Sequence, residues 1–323
     1  MLQIFLVTIP FFALVAAGYV AARSRVLPLE AIPGLNAFVL YFALPCMLYR
    51  FGANTPIAQL LDGAVALVWG VCALVTVGAV VAFSRNDRIG WNDASFGALV
   101  AAFPNTGFMG VPLLTAILGA QAVGPVIISM TFDMVLTTSL CIALSRLDAA
   151  GTHGAAQAMR KALGGVLRNP MPWAILLGGL ASAVGYKLPG PVDRTIAMLG
   201  DAASPVALFT IGAVLARSAM LAKEARGQAP VSDVLPVVLV KLVAHPLLVF
   251  AAALTVRALG MPLSLPACVT LVLMAALPSA SNVSMLAERF GADNGRIARI
   301  ILWTTVAAFF SFPLVVGWAE RLR

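Results

Sequence analysis

Pro104-Asn105-Thr106-Gly107-Phe108-Met109-Gly110-Val111-Pro112 interrupts an apolar stretch, 94–118, that is long enough to cross a bilayer. Two prolines and two glycines within nine residues argue against continuous helix, because proline removes a backbone donor and clashes with the preceding turn. A second interruption, Leu277-Pro278-Ser279-Ala280-Ser281-Asn282-Val283-Ser284, lies within the apolar stretch 265–287. In hydrocarbon, unpaired peptide groups are too costly to survive unless protein or water covers them. Two such breaks therefore predict a covered, polar place deep in the membrane. Exposed half-helix ends there carry partial charge, positive at an N-terminal end, where free N–H groups suit a carboxylate. Asn and Thr amides and hydroxyls beside the break add neutral hydrogen bonds, so an anion can be held without a permanently buried cation.

Composition supports the membrane setting. Apolar residues make up 61% of the 323-residue chain and charged residues 11%, against roughly 45–50% and about 25% in average soluble domains. Ten apolar segments can be marked: 2–22, 34–52, 61–83, 94–118, 122–145, 171–187, 195–216, 234–256, 265–287 and 298–318. The first is read as a helix and not a signal peptide, since no Lys or Arg precedes Arg23. Ten spans place both termini on one side. Loops after the odd-numbered spans carry 14 Lys and Arg, the opposite face carries 6, and Lys241 falls within a span. The positive-inside rule makes the richer face cytoplasmic and both termini periplasmic or extracellular. The net charge of +8 is spread singly over helix ends, which argues against nucleic-acid binding.

The two halves resemble each other. Residues 45–53 read PCMLYRFGA and residues 205–213 read PVALFTIGA; residues 101–104 read AAFP and residues 275–278 read AALP. This matches span 2 to span 7 and span 4 to span 9. Five spans per half make the second copy inverted, a pattern common in secondary transporters. The expected organisation is a first repeat over 1–146, a short cytoplasmic linker over 147–169 with a candidate interfacial helix, and a second repeat over 170–323.

The candidate substrate-binding residues are Pro104, Asn105, Thr106, Gly107, Pro278, Ser279, Ser281 and Asn282. Ionisable residues inside spans form a second group: Asp133, Asp201, Lys241 and His245. Lys241 and His245 are four residues apart, hence on one helical face. Lys241 either balances a substrate carboxylate or pairs with Asp133 or Asp201, and snorkelling is the alternative for a lysine near a span end. His245 has the right chemistry to couple transport to protons, and H+ or Na+ is the coupling ion to consider. No catalytic constellation emerges. Two histidines offer no metal site, no GxxxxGK loop is present, and the serines near Pro278 have no histidine to activate them. Cys46, Cys72, Cys141 and Cys268 all fall in apolar segments and read as small hydrophobes. No cofactor is expected.

Pro104-Asn105-Thr106 followed by Met109-Gly110-Val111-Pro112-Leu113-Leu114 resembles the crossover motif of the auxin efflux carrier superfamily. That group includes plant PIN auxin exporters and bacterial permeases described as malonate or malate carriers. Leu35-Asn36-Ala37-Phe38-Val39 through Ala43-Leu44-Pro45 resembles their second helix, and Ala275-Ala276-Leu277-Pro278 the start of their second crossover. The resemblance runs over essentially the whole chain. It implies an all-α, NhaA-like and PIN-like fold of ten helices in two inverted five-helix repeats. It also implies a scaffold of helices 1, 2, 6 and 7, a transport domain of helices 3–5 and 8–10, an elevator motion, and a homodimer formed through the scaffold. By the same resemblance Asn105 binds a carboxylate at the crossing of helices 4 and 9. Two features depart from the plant pattern. The loop between the halves is short, and Ser279-Ala280-Ser281-Asn282 replaces Gln-Gly and a second proline. The expected function is therefore a secondary carrier of a small organic anion in the inner membrane. Malonate-like acids are favoured over auxin because Lys241 suits a dicarboxylate. An anion channel or passive pore is the alternative.

Overall fold

The computed structural model describes residues 2–147, 170–224 and 230–321. The linker expected at 147–169 lies, except for Leu147, outside the described residues. Every apolar segment marked above is helical over most of its length, 94–118 and 265–287 being interrupted. Among the described residues six helices are long and apolar enough to cross a membrane: α2 (Leu29–Asn54), α3 (Gly63–Ser84, within the longer run Ala58–Ser84), α6 (Ala120–Leu144), α8 (Gly190–Glu224), α9 (Val231–Ala258) and α12 (Asn294–Glu320). Further apolar helices are α1 (Leu2–Arg23, with Ile9–Arg23 its apolar part), α5 (Thr106–Leu118), α7 (Pro170–Val184) and α10 (Leu265–Ala275). Helices α4 (Trp91–Ala102) and α11 (Val283–Phe290) flank the two breaks.

The ends of these helices are set by local chemistry. Asp62, Ser264 and Asp293 cap α3, α10 and α12 by accepting first-turn N–H groups. Helix α11 stops at Gly291, whose φ of +70° suits glycine. Large apolar side chains cover the outside, among them Leu74, Phe83, Leu177, Leu180, Val306 and Phe310. Such a surface is stable against lipid tails and sticky in water. The chain is an integral membrane protein built of α-helices.

Much of the packing falls into two groups, which also touch where α8 and α1 meet α12. In the first, α1 lies along α8, and α2 packs on α7 and α8. Small residues let these backbones touch. A Cβ on Gly18 would collide with the Phe209 carbonyl oxygen, and one on Gly212 with the Val15 carbonyl oxygen. Gly52 and Gly178 meet face to face, with an added Cβ on Gly52 only 3.2 Å from Gly178 backbone atoms. Without a hydrophobic drive between helices in lipid, such close approach supplies the packing energy. In the second group, α3 packs on α4, α6 and α9, α9 on α10, and α11 on α12.

Among the described residues four helices widen into a single π turn, at Val39–Ala43, Thr106–Gly110, Asp133–Thr137 and Val240–Ala244. Three of these turns end two residues before a proline: Pro45, Pro112 and Pro246. A proline ring clashes with the carbonyl four residues back. Opening the preceding turn to a five-residue bond relieves the clash and keeps the helix running. Leu44, Val111 and His245 each donate to the carbonyl five residues earlier. The fourth turn has no proline. There Thr138 donates both its N–H and its hydroxyl to the Asp133 carbonyl, the hydroxyl at 2.8 Å. Pro205 lies within the continuous helix Gly190–Glu224.

Candidate functional site

The two interruptions meet. Helix α4 ends at Ala102, three residues cross in extended or turn conformation, and α5 begins at Thr106. The break is thus shorter than the expected 104–112, because the π turn absorbs Pro112. Helix α10 ends at Ala275, and α11 starts at Val283. Pro104 and Ser279 form an antiparallel bridge. Asn105 N–H donates to the Pro278 carbonyl at 2.8 Å, and Ala280 N–H donates to the Phe103 carbonyl at 3.0 Å. Two prolines thus break two helices, and the freed peptide groups pair with each other as adjacent strands would. In hydrocarbon each group left unpaired would cost several kcal/mol.

The Asn105 carbonyl accepts from both Met109 and Gly110 N–H at 3.0 Å, tying the crossing to the π turn that opens α5. Thr106 N–H donates to the Pro104 carbonyl at 2.7 Å, and the N–H groups between it and Met109 have no preceding helical turn to accept them. This end of the helix carries partial positive charge.

A cavity of about 20 Å³, room for a single water, adjoins the crossing. Asn105, Thr106 and Gly107 line it from one break, and Ala280 and Asn282 from the other. Pro104, Phe103 and Phe108 complete that side. Leu40, Leu44 and Met171 face it from the first helix group, and Met130 and Met134 from α6. The cavity therefore lies where the two groups face each other. Of the residues expected from sequence, Pro104, Asn105, Thr106, Gly107 and Asn282 line it. Pro278, Ser279 and Ser281 do not; Pro278 and Ser279 build the crossing itself, with Ser279 N–H donating to Thr304 Oγ at 3.3 Å. Sequence reasoning missed the methionines. Met130 and Met134 sit four residues apart on one helical face, a signal that was present but indistinguishable from core packing.

The ionisable residues divide. Asp201 lies at an exposed position, in an ion pair with Arg50 at 2.8 Å that joins α8 to α2. Asp133, Lys241 and His245 are fully buried together inside the second helix group. Asp133 accepts from Thr137 Oγ at 2.9 Å, and its charge and that of Lys241 attract. Lys241 Nζ donates to the Ala275 carbonyl at 2.8 Å, at the C-terminal end of α10. A lysine at a helix C-terminus meets the negative end of its dipole. Lys241 neither snorkels nor lines the cavity. The His245 ring packs on Trp69, centroids 5.6 Å apart. Where opposite charges are buried near each other, removing one strands the other and costs several kcal/mol, whereas removing both is far milder. Lys241→Met is expected to lower the melting temperature in detergent, and the Asp133→Asn/Lys241→Met double variant to recover most of the loss. Equal loss in the two would show that the charges do not support each other.

Residues 4–316 match the family described as "Membrane transport protein". The chain belongs to this membrane transport family. Its relatives include the auxin efflux carriers. A "Putative malonate transporter" of Rhizobium meliloti (strain 1021) is 30% identical over 324 residues, covering 98% of this chain and 94% of that one. "Auxin efflux carrier component 8" of Arabidopsis thaliana is 22% identical over 306 residues, 77% of this chain and 80% of that one. "Uncharacterized transporter YfdV" of Escherichia coli (strain K12) is 26% identical over 215 residues, 64% and 67% of the two chains. A member of this transporter family is not an enzyme.

Proposed function

We propose that this membrane transporter is a secondary carrier that moves a small carboxylate across the inner membrane by an elevator-type motion. The observation that carries the reading is the hydrogen-bonded crossing, which sets Asn105 and Asn282 on one cavity that residues of both helix groups line. Asn105, Thr106, Asn282 and the N-terminal end of α5 hold the carboxylate. The group containing α3–α6 and α9–α12 carries it past a scaffold of α1, α2, α7 and α8. In this reading residues 1–146 and 170–323 are inverted repeats, the scaffold pairs two copies of the chain, and both termini face the periplasm. The Asp133, Lys241 and His245 cluster balances charge within the moving group. The malonate named for the Rhizobium relative, and malate, are the first acids to assay.

Counterflow in proteoliposomes tests carrier against pore. A carrier preloaded with unlabelled acid accumulates labelled acid transiently above equilibrium. A pore shows no such trans-stimulation, and that outcome would favour the channel alternative.

A further inference from the structure

The cavity at the crossing holds neutral hydrogen-bonding groups at one end and thioethers, leucines and aromatic rings elsewhere. Among the described residues, none that lines it is ionisable. Lys241, the cation that sequence alone would assign to a second carboxylate, is spent on the Ala275 carbonyl and lies outside the lining. We infer that the site selects singly charged carboxylates with a short apolar tail and rejects dicarboxylate dianions. This rests on the carboxylate-carrier reading above and sets aside malonate and malate, the acids named there, as its ligands.

The argument is one of charge placement. A helix N-terminus offers about half an elementary charge, and Asn105 and Asn282 add amide donors. That equipment matches one carboxylate. A second carboxylate on the same small molecule would face Met130, Met134 and Met171. Thioether sulfur is a weak acceptor and donates nothing, so the second charge would lose its water without replacement. An apolar tail meets the reverse situation. Methionine side chains are unbranched and polarizable, and they reshape around ligands of different outline. The small resting volume of about 20 Å³ then enlarges by rotamer changes of these flexible side chains. Short linear and branched tails should be accepted with similar affinity.

Malonate and its monomethyl ester share a skeleton and differ by one charge, which makes them the decisive pair. Binding to the purified full chain is measured by thermal shift and by competition in counterflow, with butyrate, isovalerate, succinate, malonate and monomethyl malonate at pH 7.5. Monoanions are expected to bind at least tenfold more tightly than the dianions. Met134→Lys, which places an ammonium on the tail side, is expected to reverse the order for malonate; Met134→Leu, which offers no donor, should leave the order unchanged. If malonate binds as well as its monoester, and Asn105→Ala weakens both, the charge selectivity is wrong while the carrier reading stands. If no acid binds, with Asn105→Ala indistinguishable from the parent chain, both fall together.

Discussion

Replacing Asn105 by alanine is expected to weaken carboxylate binding at least tenfold while leaving the fold intact. The two effects separate because side chain and backbone do different work at this residue. Its N–H donates to the Pro278 carbonyl and its own carbonyl accepts from Met109 and Gly110; alanine keeps all three bonds. What is lost is the side-chain amide on the cavity wall. A hydrogen bond to a charged group contributes about 1.5–3 kcal/mol, or roughly one to two orders of magnitude in affinity. Ligand at about a hundred times its dissociation constant stabilises a protein by about 2.7 kcal/mol, so at the same concentration a tenfold loss of affinity should leave about 1.4 kcal/mol of that and a hundredfold loss about 0.4 kcal/mol. Asn105→Asp should be worse, since it sets a carboxylate against a carboxylate. Thermal-shift titrations of both variants check this. A variant that loses its unliganded stability along with binding would mean that the amide holds the crossing together and not the substrate.

The second large effect concerns the scaffold. Gly212→Ala and Gly18→Ala should each sharply reduce folded yield and melting temperature. Each new methyl would overlap a backbone carbonyl oxygen of the facing helix, Val15 for one and Phe209 for the other. A backbone cannot rotate aside as a side chain can, so α1 and α8 must separate along their contact. Overpacking typically costs about 1–3 kcal/mol, and these sites fall at the upper end because the obstruction is main chain. Gly78 provides the control. It lies in α3 with nothing within 4 Å of an added Cβ, and alanine there should be neutral or stabilising through its better helix propensity. Fluorescence-detected size exclusion and detergent melts of the three variants would measure the contrast. Similar behaviour of Gly78→Ala and Gly212→Ala would remove close helix approach as a source of stability.

Much of this architecture is legible in the sequence because lipid makes strong demands. Apolar runs had to be helices, and Pro104 and Pro278 had to break them somewhere covered. That the breaks pair with each other was less visible, since nothing in Pro104-Asn105-Thr106 or Leu277-Pro278-Ser279 specifies a partner until the helices are folded. The extent of the first break was overstated because proline after a π turn looks, in sequence, like proline ending a helix. Pro112 is of that kind, as are Pro45 and Pro246. The site residues divided along similar lines. Asn105, Thr106 and Asn282 are polar residues in an apolar run and stand out. Met130, Met134 and Met171 do not, because a methionine facing a cavity reads the same as one in a core. Lys241 misled in the opposite direction. A lysine in a span is conspicuous, but its sequence position gives no hint that a helix C-terminus at Ala275 would claim it.

Distance between ligand and protein is the direct test of the crossing as an anion site. The chain, reconstituted in bilayers with ¹⁵N-labelled asparagine side chains, would be saturated in turn with ¹³C-carboxyl butyrate and ¹³C-carboxyl malonate. Carbon–nitrogen dipolar recoupling would then be recorded for the parent chain and for Asn105→Ala. A hydrogen-bonded carboxylate places its carbon about 3.5–4 Å from the donating amide nitrogen, so strong dephasing in the parent and its reduction in the variant is the predicted result. Ligand demonstrably bound, with dephasing the same in both chains, would contradict the account.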